Sequence, residues 1–137
     1  MAFHIRTVDY FYTTSSDRPG EAYKLLSTLA SLGVNLLAFT GVPVGKERTQ
    51  LTVFPEDSHQ LLSAAREAGM SLDGPQRAFL AQGDDELGAL AQVHEKLFHE
   101  NINVYASSGV ADGKGSYGYI LYVRPEEFDR ATKALGL

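Results

Sequence analysis

Two stretches that lie 68 residues apart share one pattern: residues 33–38 are GVNLLA and residues 101–106 are NINVYA. In both, an aliphatic residue, an asparagine, two apolar or aromatic residues and an alanine follow in the same order. The same offset pairs further identical residues without a gap; these pairs include Phe11 with Phe79, Asp17 with Asp85, Gly20 with Gly88, and Gly41 with Gly109. Such a repeat predicts two copies of one fold.

Each copy has the pattern of a strand, a helix, two strands and a second helix. Apolar residues recur at helical spacing before Gly33 in the first half and before Asn101 in the second, so Asn101 is expected to adopt the left-handed conformation of Gly33. Hairpin strands are predicted at 34–39 and 49–54, and again at 104–107 and 117–123. The fold class is therefore α+β, with two tandem ferredoxin-like lobes.

The second copy lacks one predicted strand. The first half continues past Gly69 into residues 70–72, whereas only Leu137 follows Gly136. At the repeat offset, residues 70–72 correspond to Ala2–His4 at the N-terminus. We therefore predict domains at 1–72 and 73–137, with residues 1–6 completing the sheet of the second lobe.

Composition restricts the classes of function and the compartment. The chain has no cysteine, so it has neither disulfides nor a cysteine nucleophile, and a cytoplasmic location is expected. A net charge of −5 without a basic stripe argues against nucleic acid, and the lack of a long apolar run argues against a membrane. The acidic cluster at 84–86 is expected from the dipole of a helix that begins there rather than from a metal ion. His94 lies on an apolar stripe, the other three histidines lack the spacing of metal ligands, and no cofactor is expected.

The segment Asp17-Arg18-Pro19-Gly20, followed by an amphipathic helix and then by Gly33-Val34-Asn35-Leu36, resembles the ACT domain. ACT domains are regulatory modules that are attached to enzymes of amino-acid metabolism or stand alone. The resemblance covers nearly the whole chain and is similar to small bacterial proteins made of two ACT domains. It implies the βαββαβ form of each lobe. Glu86 and Leu87 depart from the family pattern in the second half, which weakens the expectation of a ligand at that loop.

The resemblance also implies a ligand site where two ACT domains meet. The site would be formed by the loop before the first helix and by the asparagine near the second strand. Carried over, the ligand-binding candidates are Asp17, Arg18, Pro19, Gly20, Asn35 and Leu36, with a weaker set of Asp85, Gly88 and Asn103.

Elementary chemistry supports an amino acid at these positions. Glycine at a helix start lets a carboxylate approach the free backbone N–H groups, and the helix dipole favours that charge. Asn35 and Asn103 can both donate and accept hydrogen bonds, and Asp17 could take the ammonium group. An alternative stays open, in which Asp17 only caps the helix and Asn35 only shapes a turn.

Three classes of function are compared. The leading one is a regulatory protein that binds an amino acid or related metabolite and acts through ligand-dependent conformation or assembly. The second is a protein–protein interaction module or regulatory subunit without a metabolite ligand. An enzyme is not expected, because no catalytic constellation has credible spacing. A homodimer and a separate metabolic enzyme are the expected protein partners.

Overall fold

The computed structural model describes residues 3–137, so Met1 and Ala2 of the predicted N-terminal segment 1–6 lie outside the described residues. The elements in chain order are β1 (Phe3–Ser16), α1 (Glu21–Ser31), β2 (Leu36–Pro43), β3 (Arg48–Pro55), α2 (Ser58–Ala68), β4 (Asp73–Asp84), α3 (Ala89–His99), β5 (Ala106–Ala111), β6 (Ser116–Tyr122), a 3-10 turn (Pro125–Glu127) and α4 (Phe128–Ala134). This composition is α+β, as predicted.

The strands are hydrogen-bonded in the order β2-β3-β1-β4-β6-β5. The chain divides into two compact units. One unit, called here the first-half unit, comprises residues 9–76. The other, called the second-half unit, comprises the N-terminal residues up to Val8 together with residues 77–137. Strands β1 and β4 therefore contribute residues to both units.

The strand registers repeat at the offset of 68 that was found in the sequence. Phe11 of β1 pairs with Val53 of β3, and Phe79 of β4 pairs with Leu121 of β6, both antiparallel. The hairpins repeat in the same way, since Pro43 pairs with Thr49 and Ala111 pairs with Tyr117. The alignment of the two halves is thus confirmed at the level of backbone pairing.

A separate hydrophobic core fills each unit. In the first-half unit, fully buried residues from strands and both helices pack together; they are Phe11, Leu29, Val53 and Leu61. The second-half unit buries the equivalent residues Phe79, Leu97 and Leu121, together with Phe128 of α4. Burial of apolar surface on one face of each helix is what holds α1 to α4 against the strands.

Ile5 of β1 belongs to the core of the second-half unit, where it is 5% exposed, and Phe3 packs against the same cluster. The last residues of the chain form α4 and its end, so no strand follows α4 within the described residues. The N-terminal part of β1 is therefore the segment that supplies Phe3 and Ile5 to this core.

The ends of α1 and α3 confirm the predicted exchange of glycine for asparagine. Gly33 has φ +78° and Asn101 has φ +55°, both in the left-handed region. The next N–H group, of Val34 or Ile102, returns to the carbonyl of Leu29 or Leu97. Because Val34 closes a helix in this way, β2 begins two residues later than the predicted start at 34. Strand β5 also begins two residues later than its predicted start at 104.

Candidate functional site

The first-half loop from Asp17 to Gly20 lies exposed beside the hairpin between β2 and β3. The Asp17 N–H donates to the carbonyl of Glu47 at 2.9 Å, which fixes the loop to that hairpin. Arg18 lies 3.5 Å from Glu21, an exposed ion pair of small energetic value. Pro19 precedes Gly20, the N-cap residue of α1, which has a left-handed conformation with φ +91°.

The second-half loop repeats this geometry with different side chains. The Asp85 N–H donates to the carbonyl of Gly115 at 2.9 Å, and Gly88 starts α3 with φ +80°. A Cβ added at Gly20 or at Gly88 would meet nothing within 4 Å, so open space lies next to both helix starts. These glycines are required by their backbone conformation rather than by close packing.

Neither helix start has a side-chain cap, so Asp17 does not act as the cap that one interpretation of the sequence assigned to it. The first turn of α1 contains an acidic residue, Glu21, whose carboxylate contacts Arg18 and Lys24. The first turn of α3 contains no acidic residue. The two repeated loops therefore differ in the electrostatics that they offer to an anion.

Asn35 and Asn103 also differ. The Asn35 Nδ2 donates to Glu56 at 3.0 Å, while the Glu56 N–H donates to the Asn35 carbonyl at 2.9 Å, so Asn35 closes the junction between β3 and α2. Leu36, the next residue, begins β2 and is half-buried. In the second half the repeat offset places Arg124 where Glu56 stands, and the exposed Asn103 has no hydrogen-bonding side-chain partner among residues 3–137.

Within each unit the two parts of the predicted site lie at opposite ends of the strands. Asp17 contacts the hairpin before Arg48, the first residue of β3. Asn35 contacts Glu56, which follows Pro55, the last residue of β3. Eight residues of strand span about 26 Å. A small metabolite therefore cannot touch both sets in one unit, and the structure does not bring them together.

A depression of about 620 Å³ opens at the start of α3 in the second-half unit, and we call it the α3 cavity. Its walls are residues 85–91, residues 109–111 of β5, and Tyr117 and Gly118 of β6. The depression at α1 in the first-half unit is smaller, about 340 Å³, and is lined by Glu21 and Lys24 but not by Asp17–Gly20. Of these two depressions, the larger one thus lies beside the loop at Asp85–Gly88, which the sequence analysis gave as the weaker set of candidates.

Tyr117 is the functional candidate that sequence reasoning missed. Its side chain lines the α3 cavity, is only 8% exposed, and its buried hydroxyl has no hydrogen-bond partner among the described residues. Burial, with a smaller contribution from the Glu86 carboxylate, raises the pKa of Tyr117. The sequence carried one signal for Tyr117: at the repeat offset the equivalent residue in the first half is the much smaller Thr49.

Tyr119, two residues along the same strand, has the partner that Tyr117 lacks. Its hydroxyl is 2.5 Å from Nε2 of His94, which is part-buried on α3, as the apolar stripe of that helix predicted. His94 therefore has a structural contact within the second-half unit. In residues 3–137 no group of three or more His, Asp or Glu side chains could hold a metal ion, and no helix is long and apolar enough to cross a membrane.

Comparison with known proteins identifies the fold. No protein-family model and no curated protein matches the sequence. A crystal structure of protein BT0572 from Bacteroides thetaiotaomicron is similar with a TM-score of 0.79 and 16% identity over 96% of this chain and 88% of that one. The regulatory subunit of aspartate kinase from Thermus thermophilus gives 0.65 and 15%, covering 97% of this chain and 93% of that one.

The aspartokinase alpha and beta subunits give a TM-score of 0.64 and 17% identity, with 98% of this chain and 95% of that chain covered. At such low identities the likeness concerns the fold alone. This chain accordingly shares its α+β fold with these structures.

Proposed function

We propose that this chain is a non-catalytic regulatory protein, built from two ACT-type lobes, that binds an amino acid or a related small metabolite in the cytoplasm. In this proposal the N-terminal residues complete the second lobe. The first lobe then follows residues 9–76, and the second follows the residues up to Val8 together with 77–137, instead of the predicted boundary between 72 and 73. The regulated activity resides in a separate metabolic enzyme. The ACT-like fold shared with the regulatory subunit of aspartate kinase supports a regulatory role.

The observation that carries the proposal is the helix start at Gly88. Among residues 3–137, the N–H groups of Leu90 and Ala91 have no backbone acceptor and no side-chain cap, and both residues line a cavity large enough for a metabolite. Backbone N–H groups at the positive end of a helix dipole are a general binding site for a carboxylate. No catalytic acid, base or nucleophile is needed for this chemistry.

The opposed positions of loop and asparagine favour a site shared between two copies. Strand β5 ends the strand order and all six of its residues are exposed, without a charged residue or a proline. Such an edge can pair with a second chain. Antiparallel pairing of two β5 strands sets the start of one beside the end of the other, which would bring Asn103 of one copy near the α3 cavity of the other.

The other edge strand is less suited to pairing, which supports this choice of interface. Strand β2 has an irregular register between Leu36 and Ala38 and ends at Pro43. Bulges and prolines protect an edge strand from a further partner. Val110 of β5, by contrast, is 74% exposed. We expect Val110→Lys to convert a dimer to a monomer in sedimentation experiments.

Thermal unfolding of the full chain in the presence of each of the twenty amino acids tests the function. A ligand at 100 times its Kd adds about 2.7 kcal/mol to native stability, so one compound or a small related group should raise the Tm selectively. Gly20→Ala and Gly88→Ala form a matched pair, because both glycines have positive φ and open space. Loss of the shift in one variant alone assigns the lobe.

A second function, an interaction module without a metabolite, is favoured by exposed apolar residues of the second-half unit. Phe98 is 77% exposed and Tyr105 is 51% exposed, in the same unit as Val110. If no amino acid shifts the Tm while the folded protein remains a dimer through Val110, the interaction module replaces the metabolite sensor.

A further inference from the structure

A depression of about 520 Å³ lies between α3 and α4 in the second-half unit, and we call it the helix groove. It is lined by Lys96, His99 and Glu100 at the end of α3 and by Arg130, Lys133 and Ala134 of α4. It shares no residue with the α3 cavity, which lies at the other end of α3. A depression of this volume is within the range of small-molecule sites.

The helix groove carries an excess of positive charge. Three permanent cations line it: Lys96, Arg130 and Lys133. The Glu100 carboxylate is the one acidic side chain in the lining, so the three cations exceed it by a formal charge of +2, without counting His99. Among residues 3–137, none of these cations has a carboxylate partner within ion-pair distance. On a chain of net charge −5, the groove is a local reversal of sign that is open to an anion from solution.

The packing of the two helices does not require these charges. At the repeat offset the first-half unit has Thr28, Ser31, Leu32, Leu62, Ala65 and Arg66 in the same places. Arg66 is the one cation among them, yet helices α1 and α2 form and pack against a core of the same kind. The dipole of α3 favours basic residues in its last turn, but α1, which has the same length, has none there. The basic cluster is therefore a property of the second lobe and not of the repeated fold.

Arg130 is held in place by the end of α3. Its Nη2 donates to the carbonyl of Glu100, one of the carbonyls that a helix end leaves without an intrahelical donor. A guanidinium has five N–H donors, so most of those of Arg130 stay free beside the lysines of the groove. A planar fork that is fixed at one nitrogen suits the oxygens of a phosphate group, and Lys96 and Lys133 add mobile point charges.

Charge and size favour a small phosphate monoester over other anions. A phosphate monoester carries a charge of about −1.5 to −2 at pH 7, which matches the excess in the groove, whereas a zwitterionic amino acid has no net charge. An extended polyanion such as nucleic acid would also meet the exposed carboxylates of Glu95 and Asp129, which neighbour the groove on α3 and α4. Neither of these carboxylates lines the groove itself, so a ligand of its size avoids both.

We propose that the helix groove is a separate ligand site, which binds a small phosphate monoester. The phosphate oxygens accept from the free N–H groups of Arg130 and from the ammonium groups of Lys96 and Lys133. His99, which lines the same groove, borders the ligand. The site uses neither helix start, so it does not rest on the amino-acid function proposed above.

Titration of the ¹⁵N-labelled full chain with glycerol 3-phosphate at low salt, followed by amide chemical shifts, tests the proposal. We expect saturable shifts at residues 96–100 and 130–134, and none with glycerol. Lys96→Gln combined with Lys133→Gln should weaken binding about 10-fold or more, because two charged donors are lost while Arg130 keeps its contact with Glu100. The matched control combines Lys24→Gln with Arg66→Gln, which removes the same charge from α1 and α2 and should keep the wild-type affinity.

Three results would overturn the proposal. The first is the absence of shifts at the groove when the folded wild-type chain meets glycerol 3-phosphate or inorganic phosphate. The second is equal weakening in both double variants, which would show a general response to net charge. The third is tighter binding, through the groove lysines, of a short DNA duplex or of phosphatidylglycerol vesicles, which would assign the cations to a macromolecule or a membrane. Thermal unfolding with amino acids is unaffected by any of these results, so the two proposals fail separately.

Discussion

Replacing Tyr117 by phenylalanine should stabilise the ligand-free protein, an unusual result for a change in a buried residue. The variant removes a hydroxyl that has no partner, while the ring stays 8% exposed within the core of the second-half unit. Burying an unpaired hydroxyl costs about 1–3 kcal/mol, so the free energy of unfolding should rise by about 1 kcal/mol.

The matched change Tyr119→Phe should act in the opposite direction. It breaks the 2.5 Å hydrogen bond to Nε2 of His94 and leaves that part-buried nitrogen without its partner. The expected loss is about 1–2 kcal/mol. With a slope near 2 kcal/mol per molar urea, the two unfolding midpoints should move about 0.5 M up and about 0.5–1 M down.

Urea unfolding followed by circular dichroism suits this comparison, because the chain has no tryptophan. The two variants delete the same atom type from the same strand, so general effects of the substitution cancel. Equal losses of stability in both variants would refute the reasoning, since they would show that the Tyr117 hydroxyl is satisfied in the native state.

Three further predictions concern the fold. Asn101→Gly should raise the free energy of unfolding by a few tenths of a kcal/mol, and Gly33→Ala should lower it by about 1 kcal/mol, because both sites have positive φ; unchanged urea midpoints would contradict this. Ile5→Ala should cost about 2–4 kcal/mol and should reduce hydrogen-exchange protection in β6 more than in β3, since Ile5 packs in the second-half core; equal losses in both strands would contradict it. Burial and the neighbouring Tyr105 raise the pKa of Tyr122 to about 12. In the unfolded chain this tyrosine ionises near pH 10, whereas in the folded chain it ionises at a higher pH. The free energy of unfolding should therefore keep its full value below pH 10 and fall between pH 10 and 12. The fall should be less steep in Tyr122→Phe.

The sequence predicted the repeated backbone well because its cues are local. The offset of 68 aligned Phe11 with Phe79, and the structure gives these two residues equivalent partners, Val53 and Leu121. Glycine chemistry predicted the turn at Asn101. The start of β2 was missed by two residues because the N–H group of Val34 is used to close a helix.

The candidate site was less predictable, since it depends on contacts between residues that are far apart in the sequence. Nothing in the sequence pairs Asn35 with Glu56, a contact between residues 21 positions apart that occupies the amide. The same limit applies to Tyr117, because only the fold shows that its hydroxyl is buried without a partner. The family pattern favoured the loop at Arg18 and Pro19, whereas the cavity follows the side chains around α3.

The central claim is that this chain binds an amino acid through backbone groups at the start of α3. Amide chemical shifts of the full ¹⁵N-labelled chain, recorded with and without saturating L-leucine or L-phenylalanine, measure this directly. The account predicts large changes for Leu90, Ala91 and Tyr117, and little change at Asp17 or Gly20. Changes confined to the first-half loop, or unchanged spectra with every one of the twenty amino acids, would contradict it.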